Sequence, residues 1–215
     1  MLDRPVKNNY PDGMARPRQF DEDAVLRAVC DQFWDAGYAA TSLQDLMRVS
    51  GLGKGSLYAA FGDKHELFLR VLRRYVAGLD RMLRRKIGEA PRAIDGLRSF
   101  VMSPVGDPEG VAARRGCLLA NSATELASAD PVVAAEARQA YEGTTALLAE
   151  GVARAQAEGD LPASADPVTT ARAVLAAQQG VTYMGRTGMD VATLAATARS
   201  LADQLLPVAA ESRPG

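Results

Sequence analysis

The chain of 215 residues is short of the parts from which most chemical sites are built. It has one histidine, His65, and two cysteines, Cys30 and Cys117, which lie far apart in sequence. They form no metal-ligand spacing, so no metal is expected. They give no Ser–His or Cys–His pair from which to assemble a nucleophilic site, so an enzyme in a helical bundle is the least supported reading. A disulfide framework is equally excluded, which makes a reducing cytoplasm the default compartment. No apolar run approaches the length that spans a bilayer, and no signal peptide is visible, so no membrane partner is expected. Alternating strand-like patterning is also scarce. With 47% apolar residues and abundant alanine, the composition predicts an all-α protein. The length allows one large domain or two small ones, with ample core.

The net charge of −1 conceals an asymmetry. Residues 14–88 carry 13 basic against 9 acidic side chains, and residues 89–215 carry 10 against 15. A basic front on an acidic rear suits a nucleic-acid module joined to a regulatory one; scattered surface charge is the plainer alternative.

The most informative stretch is residues 41–68, TSLQDLMRVSGLGKGSLYAAFGDKHELF. Thr41 and Ser42 supply N-cap hydroxyls, with Gln44 and Asp45 each three residues on, as a capping box requires. Leu43, Leu46, Met47 and Val49 give one apolar face, and Gly51 stands where a left-handed residue ends the helix. A second short helix follows Gly53. Leu57 and Phe61, four apart, anchor it, while Lys54, Ser56, Tyr58 and Ala59 lie largely off that stripe. A small, polar, basic helix end of this kind suits a DNA major groove. Gly53-Lys54-Gly55-Ser56 is not a nucleotide-binding loop. Lys54 is not followed by Ser or Thr, no glycine stands five residues before it, and no strand precedes it. No cofactor is therefore expected.

This stretch resembles the DNA-binding segment of the TetR (tetracycline-repressor-like) family of bacterial regulators. The similarity covers about residues 16–75 and is densest in GKGSLYAAF followed by Asp63, Lys64, Glu66 and Leu67. It departs from the family pattern at Gly53, where Ser or Thr is common, and at Ala60, often a polar or aromatic backbone contact. The resemblance implies a homodimer that binds palindromic operator DNA and is released by a small-molecule effector. It implies backbone contacts from Thr41, Ser42, Lys54, Tyr58 and Lys64, and base reading by Gly55, Ser56 and Ala59. A constitutive DNA-binding protein without an effector is the alternative.

Residues 1–13 lack periodicity and are expected to be a disordered extension. MARPRQFD from Met14 resembles the start of many family members. Arg16 and Arg18, around Pro17, form a basic arm that either lies along the DNA backbone or enters a minor groove, or else remains a solvated tail. The expected division is a helix-turn-helix domain over 14–62 and a ligand-binding and dimerisation domain over 63–215.

The first helix begins at Asp21 and ends at Gly37, with Phe20 placed to staple against Val25 and Cys30 on a broad apolar stripe. A long basic helix runs from Asp63 to about Ile87. Beyond it, helices are expected over 92–103, from about Gly116 to Ala129, from Asp130 to about Glu158, over 167–187 and over 190–206, with SPVGDPEG a turn or loop. Val191, Leu194, Ala198, Leu201 and Leu205 make a seam on the last helix, and Val174, Gln178 and Val181 lie on its neighbour. These are core or dimer interface, and the resemblance tips them to the interface. Met82, Phe100, Met102, Asn121, Tyr141, Gln178 and Tyr183 are pocket candidates, as large or polar residues on the rear helices. Residues 115–127 loosely resemble a TetR subset whose sensor helix opens Gly-Cys-Leu, including regulators that respond to electrophiles. Cys117, after Arg114 and Arg115 and in an expected first helical turn, is either a reactive thiolate or a small buried residue.

Overall fold

The structure, a computed structural model, describes residues 20–207, which are helical and contain no strand. The basic arm of Arg16 and Arg18 and the extension over 1–13 lie outside the described residues. Helix α1 (Glu22–Ala36) starts at Asp21, whose side chain accepts from the Ala24 N–H. Phe20 lies against Phe61, with ring centroids 6.0 Å apart. Helix α2 (Leu43–Ser50) is capped by Ser42 in a reciprocal box with Asp45. The Ser42 hydroxyl and N–H, followed by Arg48, hold the Asp45 carboxyl down to about 2. Gly51 ends α2 at φ 68°, a conformation that costs glycine little and other residues more. Helix α3 (Lys54–Phe61) follows from Gly53, which offers no side-chain cap. Helix α4 (Lys64–Gly88) opens on a second reciprocal box, Asp63 with Glu66.

The remaining helices are α5 (Ala93–Val101), α6 (Val111–Arg115), α7 (Leu118–Leu126), α8 (Pro131–Ala157), α9 (Pro167–Arg186) and α10 (Val191–Leu205). The segment SPVGDPEG, expected to be a turn or loop, contains a 3-10 turn at Ser103–Val105, and α6 follows it. The Asp107 carboxylate organises this passage by accepting from the Glu109 and Ala112 N–H groups. Helix α6 has five residues, too few to leave a periodic trace in the sequence. The helix expected from Gly116 begins at Leu118, so Cys117 is its N-cap rather than part of its first turn.

One core is built from Phe33, Leu46, Leu57, Phe61, Phe68 and Leu72, joined by Leu118, Leu119, Val133 and Ala137 from α7 and α8. Residues on both sides of the expected boundary at 62/63 therefore share one core. A second core holds Leu83, Ile87, Ile94, Leu97, Leu148, Val152 and Val174. Arg154 and Arg98 tie its helix ends. Arg154 donates to the carbonyls of Ile87 and Ala90, and Arg98 to those of Ala202 and Leu206, placing positive charge at helix C-terminal ends, where the dipole favours it.

Leu194 and Ala198 of the α10 seam, with Val174 and Val181 on α9, are turned inward, which corrects the expected interface at those four positions. Leu194 and Ala198 are fully buried with Val181 and Ala113 in a third small core, and Val174 is fully buried in the second. Gln178 donates to Ser103 and Thr182 within the chain, and Val191, Leu201 and Leu205 are half-buried. The reason is close approach. A Cβ at Gly185 would stand 2.9 Å from the Ala113 carbonyl, so α6 packs directly on α9, and α10 closes over the pair. The faces left outward carry Ala176, Gly180 and Tyr183 on α9 and Ala192 and Ala196 on α10.

Candidate nucleic-acid interface and sensor cavity

Two residues fix α3 to the body: Leu57 at 1% exposure and Phe61 at 5%. Burying both removes on the order of 3–6 kcal/mol of apolar exposure cost, enough to hold a two-turn helix that would not persist alone. Lys54, Gly55, Ser56, Tyr58 and Ala59 all face outward. An added Cβ at Gly55 would meet no atom within 4 Å, so the first turn offers open backbone to an approaching duplex. The Lys54 ammonium lies 5.9 Å from the Tyr58 ring centroid, and the Lys64 ammonium 4.3 Å from that of Tyr38. Both cations thus sit on aromatic faces that restrict them.

Thr41 differs from its expected role. It is buried, and its hydroxyl donates to the Gly37 carbonyl at 2.7 Å, because that carbonyl ends α1 without a helical partner. Ser42 is exposed, but its hydroxyl donates to Asp45 at 2.6 Å and accepts from the Asp45 N–H. What these two present outward is backbone more than free hydroxyl.

Behind this helix pair lies a cavity of about 430 Å³. Its wall includes Met82, Phe100, Cys117, Tyr141 and Gln178 from the sequence candidates. Asn121 and Tyr183 instead line a neighbouring cleft of about 370 Å³, with Tyr183 69% exposed, and Met102 packs in the third core. Trp34, Tyr75, Leu79, Ser103, Arg115 and Thr144 also line the main cavity and were not singled out. Trp34 carried the one available signal, being the sole tryptophan; the others look in sequence like ordinary helix residues.

The lining is mostly apolar and its phenols stay neutral. Burial pushes Tyr141 up to about 12, with Cys117 adding to it, and burial also raises Tyr75. The Tyr75 hydroxyl donates to the Cys117 sulfur at 3.6 Å. The Arg115 guanidinium is engaged by Asp31, Asp35 and the Trp34 ring, rather than activating Cys117 as the sequence order suggested. Cys117 itself is buried. Cys30 is half-buried, and burial followed by Asp31 pushes its thiol up to about 11. Among the described residues no helix is long and apolar enough to cross a membrane, and no cluster of His, Cys, Asp and Glu could hold a metal ion.

A two-helix turn presenting an outward, open-backboned helix end, joined through α4 to a helical body with a partly open cavity, defines a helix-turn-helix DNA-binding regulator. Residues 25–71 match the family model for bacterial regulatory proteins of the tetR family, and residues 93–201 match that for the tetracyclin repressor-like C-terminal domain. The chain belongs to the TetR family of transcriptional regulators, which are not enzymes. It is 31% identical over 152 residues to the uncharacterised HTH-type transcriptional regulator YezE of Bacillus subtilis strain 168, covering 69% of this chain and 76% of that protein. The HTH-type transcriptional repressor ComR of Escherichia coli K12 is 28% identical over 182 residues, 83% and 86% of the two chains. Among solved structures, a cysteine mutant of the TetR family regulator CifR complexed with 26-bp operator DNA is similar with a TM-score of 0.73 and 27% identity, over 87% of this chain and 98% of that one.

Proposed function

We propose that the protein is a repressor that binds a near-palindromic operator as a homodimer and leaves it when a small molecule occupies the cavity. The carrying observation is the α3 face: Lys54, Gly55, Ser56, Tyr58 and Ala59 stand clear while Leu57 and Phe61 are locked inside. Residues 14–62 form the reading head and 63–215 the sensing and dimerisation part, working in the cytoplasm. Lys54, Tyr58 and Lys64 hold phosphates, with backbone groups at Thr41 and Ser42. Gly55, Ser56 and Ala59 meet base edges. Pairing of two chains uses the outward faces of α9 and α10.

Release follows from geometry. Two heads must reach half-sites about 34–36 Å apart, or a multiple of that, so a small pivot of α4 removes much affinity. Tyr75, Leu79, Met82 and Leu83 put α4 directly in the cavity wall, where an occupant shifts it. The largely apolar lining, whose charged members Arg115 and Asp107 are already engaged by Asp31 and Asp35 and by backbone N–H groups, suits an uncharged apolar molecule with a hydrogen-bond acceptor for Tyr141 or Gln178. An electrophile that alkylates Cys117 would fill the same space.

The test begins with a duplex selected from a random pool and footprinted. Uncharged apolar compounds are then screened for raised melting temperature and for operator release. The expected result is a protected two-fold site and at least one compound that does both. A compound that stabilises the protein while leaving operator affinity unchanged would favour a constitutive DNA-binding protein. Failure to select any duplex would defeat the reading.

A further inference from the structure

The wall of the cavity between Val111 and Cys117 is tied at Arg115 to α1, α7 and α9. The Arg115 carbonyl accepts from Trp34 Nε1 at 3.2 Å, Asn121 Nδ2 at 3.1 Å and Arg186 Nη1 at 3.0 Å. Its side chain reaches the other way along α1: Nε donates to Asp35 at 2.6 Å and Nη2 to Asp31 at 2.8 Å. The guanidinium carbon lies 4.5 Å from the Trp34 ring centroid. Helix α1 has no basic residue in its last turn, yet carries Asp31 and Asp35 toward that end, an arrangement opposed by the helix dipole. Arg115 supplies from another element the positive charge α1 lacks. Four residues beyond Asn121, α7 adds a second tie, as the Glu125 carboxylate accepts from the Tyr38 and Ala39 N–H groups just past α1. Among the described residues, Trp34 is also the one ahead of α4 in the cavity lining.

We infer that Arg115 and Trp34 form a clasp that passes the occupancy of the cavity directly to α1, by a route separate from the pivot of α4. This rests on the cavity being the sensor site. An occupant that displaces the Val111–Cys117 wall either opens the Trp34–Arg115 contact or carries α1 with it. Helix α1 packs on α2, so the displacement reaches the helix-turn-helix without passing through α4. Asp31 and Asp35 are exposed, so the pairs themselves hold the clasp loosely enough to yield. Arg115 is a positioning residue here.

The test fills the cavity without needing the effector. Thr144→Phe, from α8, places a ring in the cavity; Leu175→Phe, from α9, serves if that variant does not fold. Operator affinity is measured for the filled variant alone, for Arg115→Ala and Trp34→Phe alone, and for each combination. Filling should weaken operator binding about tenfold in the wild-type background and by about threefold, the share carried by α4, where the clasp is cut, a coupling of about threefold. In the Arg115→Ala background, the emission of Trp34, the sole tryptophan, should still shift on filling, showing that the cavity is occupied. A purely structural Arg115 would lower affinity by one factor, open or filled. Equal weakening by the ring in both backgrounds overturns the clasp and leaves α4 as the carrier. A folded, filled protein with undiminished operator affinity in the wild-type background defeats the sensor reading itself, and the clasp with it.

Discussion

Leu194→Ala distinguishes an α10 that closes the protomer from an α10 that joins two copies. Leu194 has no solvent exposure in the single chain and sits with Val181, Ala198 and Ala113. Those neighbours are small or β-branched and lie on helices in close contact, since α6 already meets α9 at the distance only Gly185 allows. The space left by truncation cannot collapse easily. The cost therefore belongs in the middle to upper part of the range for buried Leu→Ala, about 3–4 kcal/mol. For a chain of this size, about 2–4 °C per kcal/mol gives a fall in melting temperature of roughly 6–16 °C. The assay is calorimetric or circular-dichroism melting together with sedimentation at the same protein concentrations. The variant should melt early while sedimenting under native conditions as the wild type does. A variant that sediments as a folded monomer and melts within a degree or two of the wild type would place Leu194 at an interface, contrary to its packing.

Lys54→Ala should lower the slope of log affinity against log salt by about one, leaving the order of preference among operator variants intact. An unchanged slope removes Lys54 from the DNA. Ser56 variants, by contrast, should change that order at one base position per half-site, and an unaltered order in a selection experiment refutes base reading there. Cys30 has a thiol raised to about 11, so its native alkylation should accelerate only as pH approaches that value. The sign for stability follows: the contribution of the protonated thiol is complete below the unfolded value near 9 and is lost as pH rises through about 11. Rapid labelling of Cys30 at neutral pH, read by mass spectrometry of Cys117→Ser, would contradict its burial. If maleimide labels neither Cys117 nor releases operator from the wild type, the effector is non-covalent.

Much of the front half was legible because its signals are local. Ser42 with Asp45, Asp63 with Glu66, and Gly51 past the last apolar residue each act within one helical turn, so spacing alone fixed where α2 and α4 begin and where α2 ends. Leu57 and Phe61, four apart, likewise determined which face of α3 stays outside. The partner of an apolar stripe is a different matter. The periodicity of Leu194 and Ala198 is the same whether the facing helix belongs to this chain or another, and only the close passage of α6 over Gly185 decided that it is this one. Thr41 was legible as a cap-type residue, but the unpaired carbonyl of Gly37 that claims its hydroxyl is a property of where α1 ends in space. Trp34 and Arg115 stand 81 residues apart, and no spacing rule links them. Their contact, and with it the wall of the cavity, exists because α7 and α8 share the core of α1–α4, a long-range arrangement that local pattern does not encode.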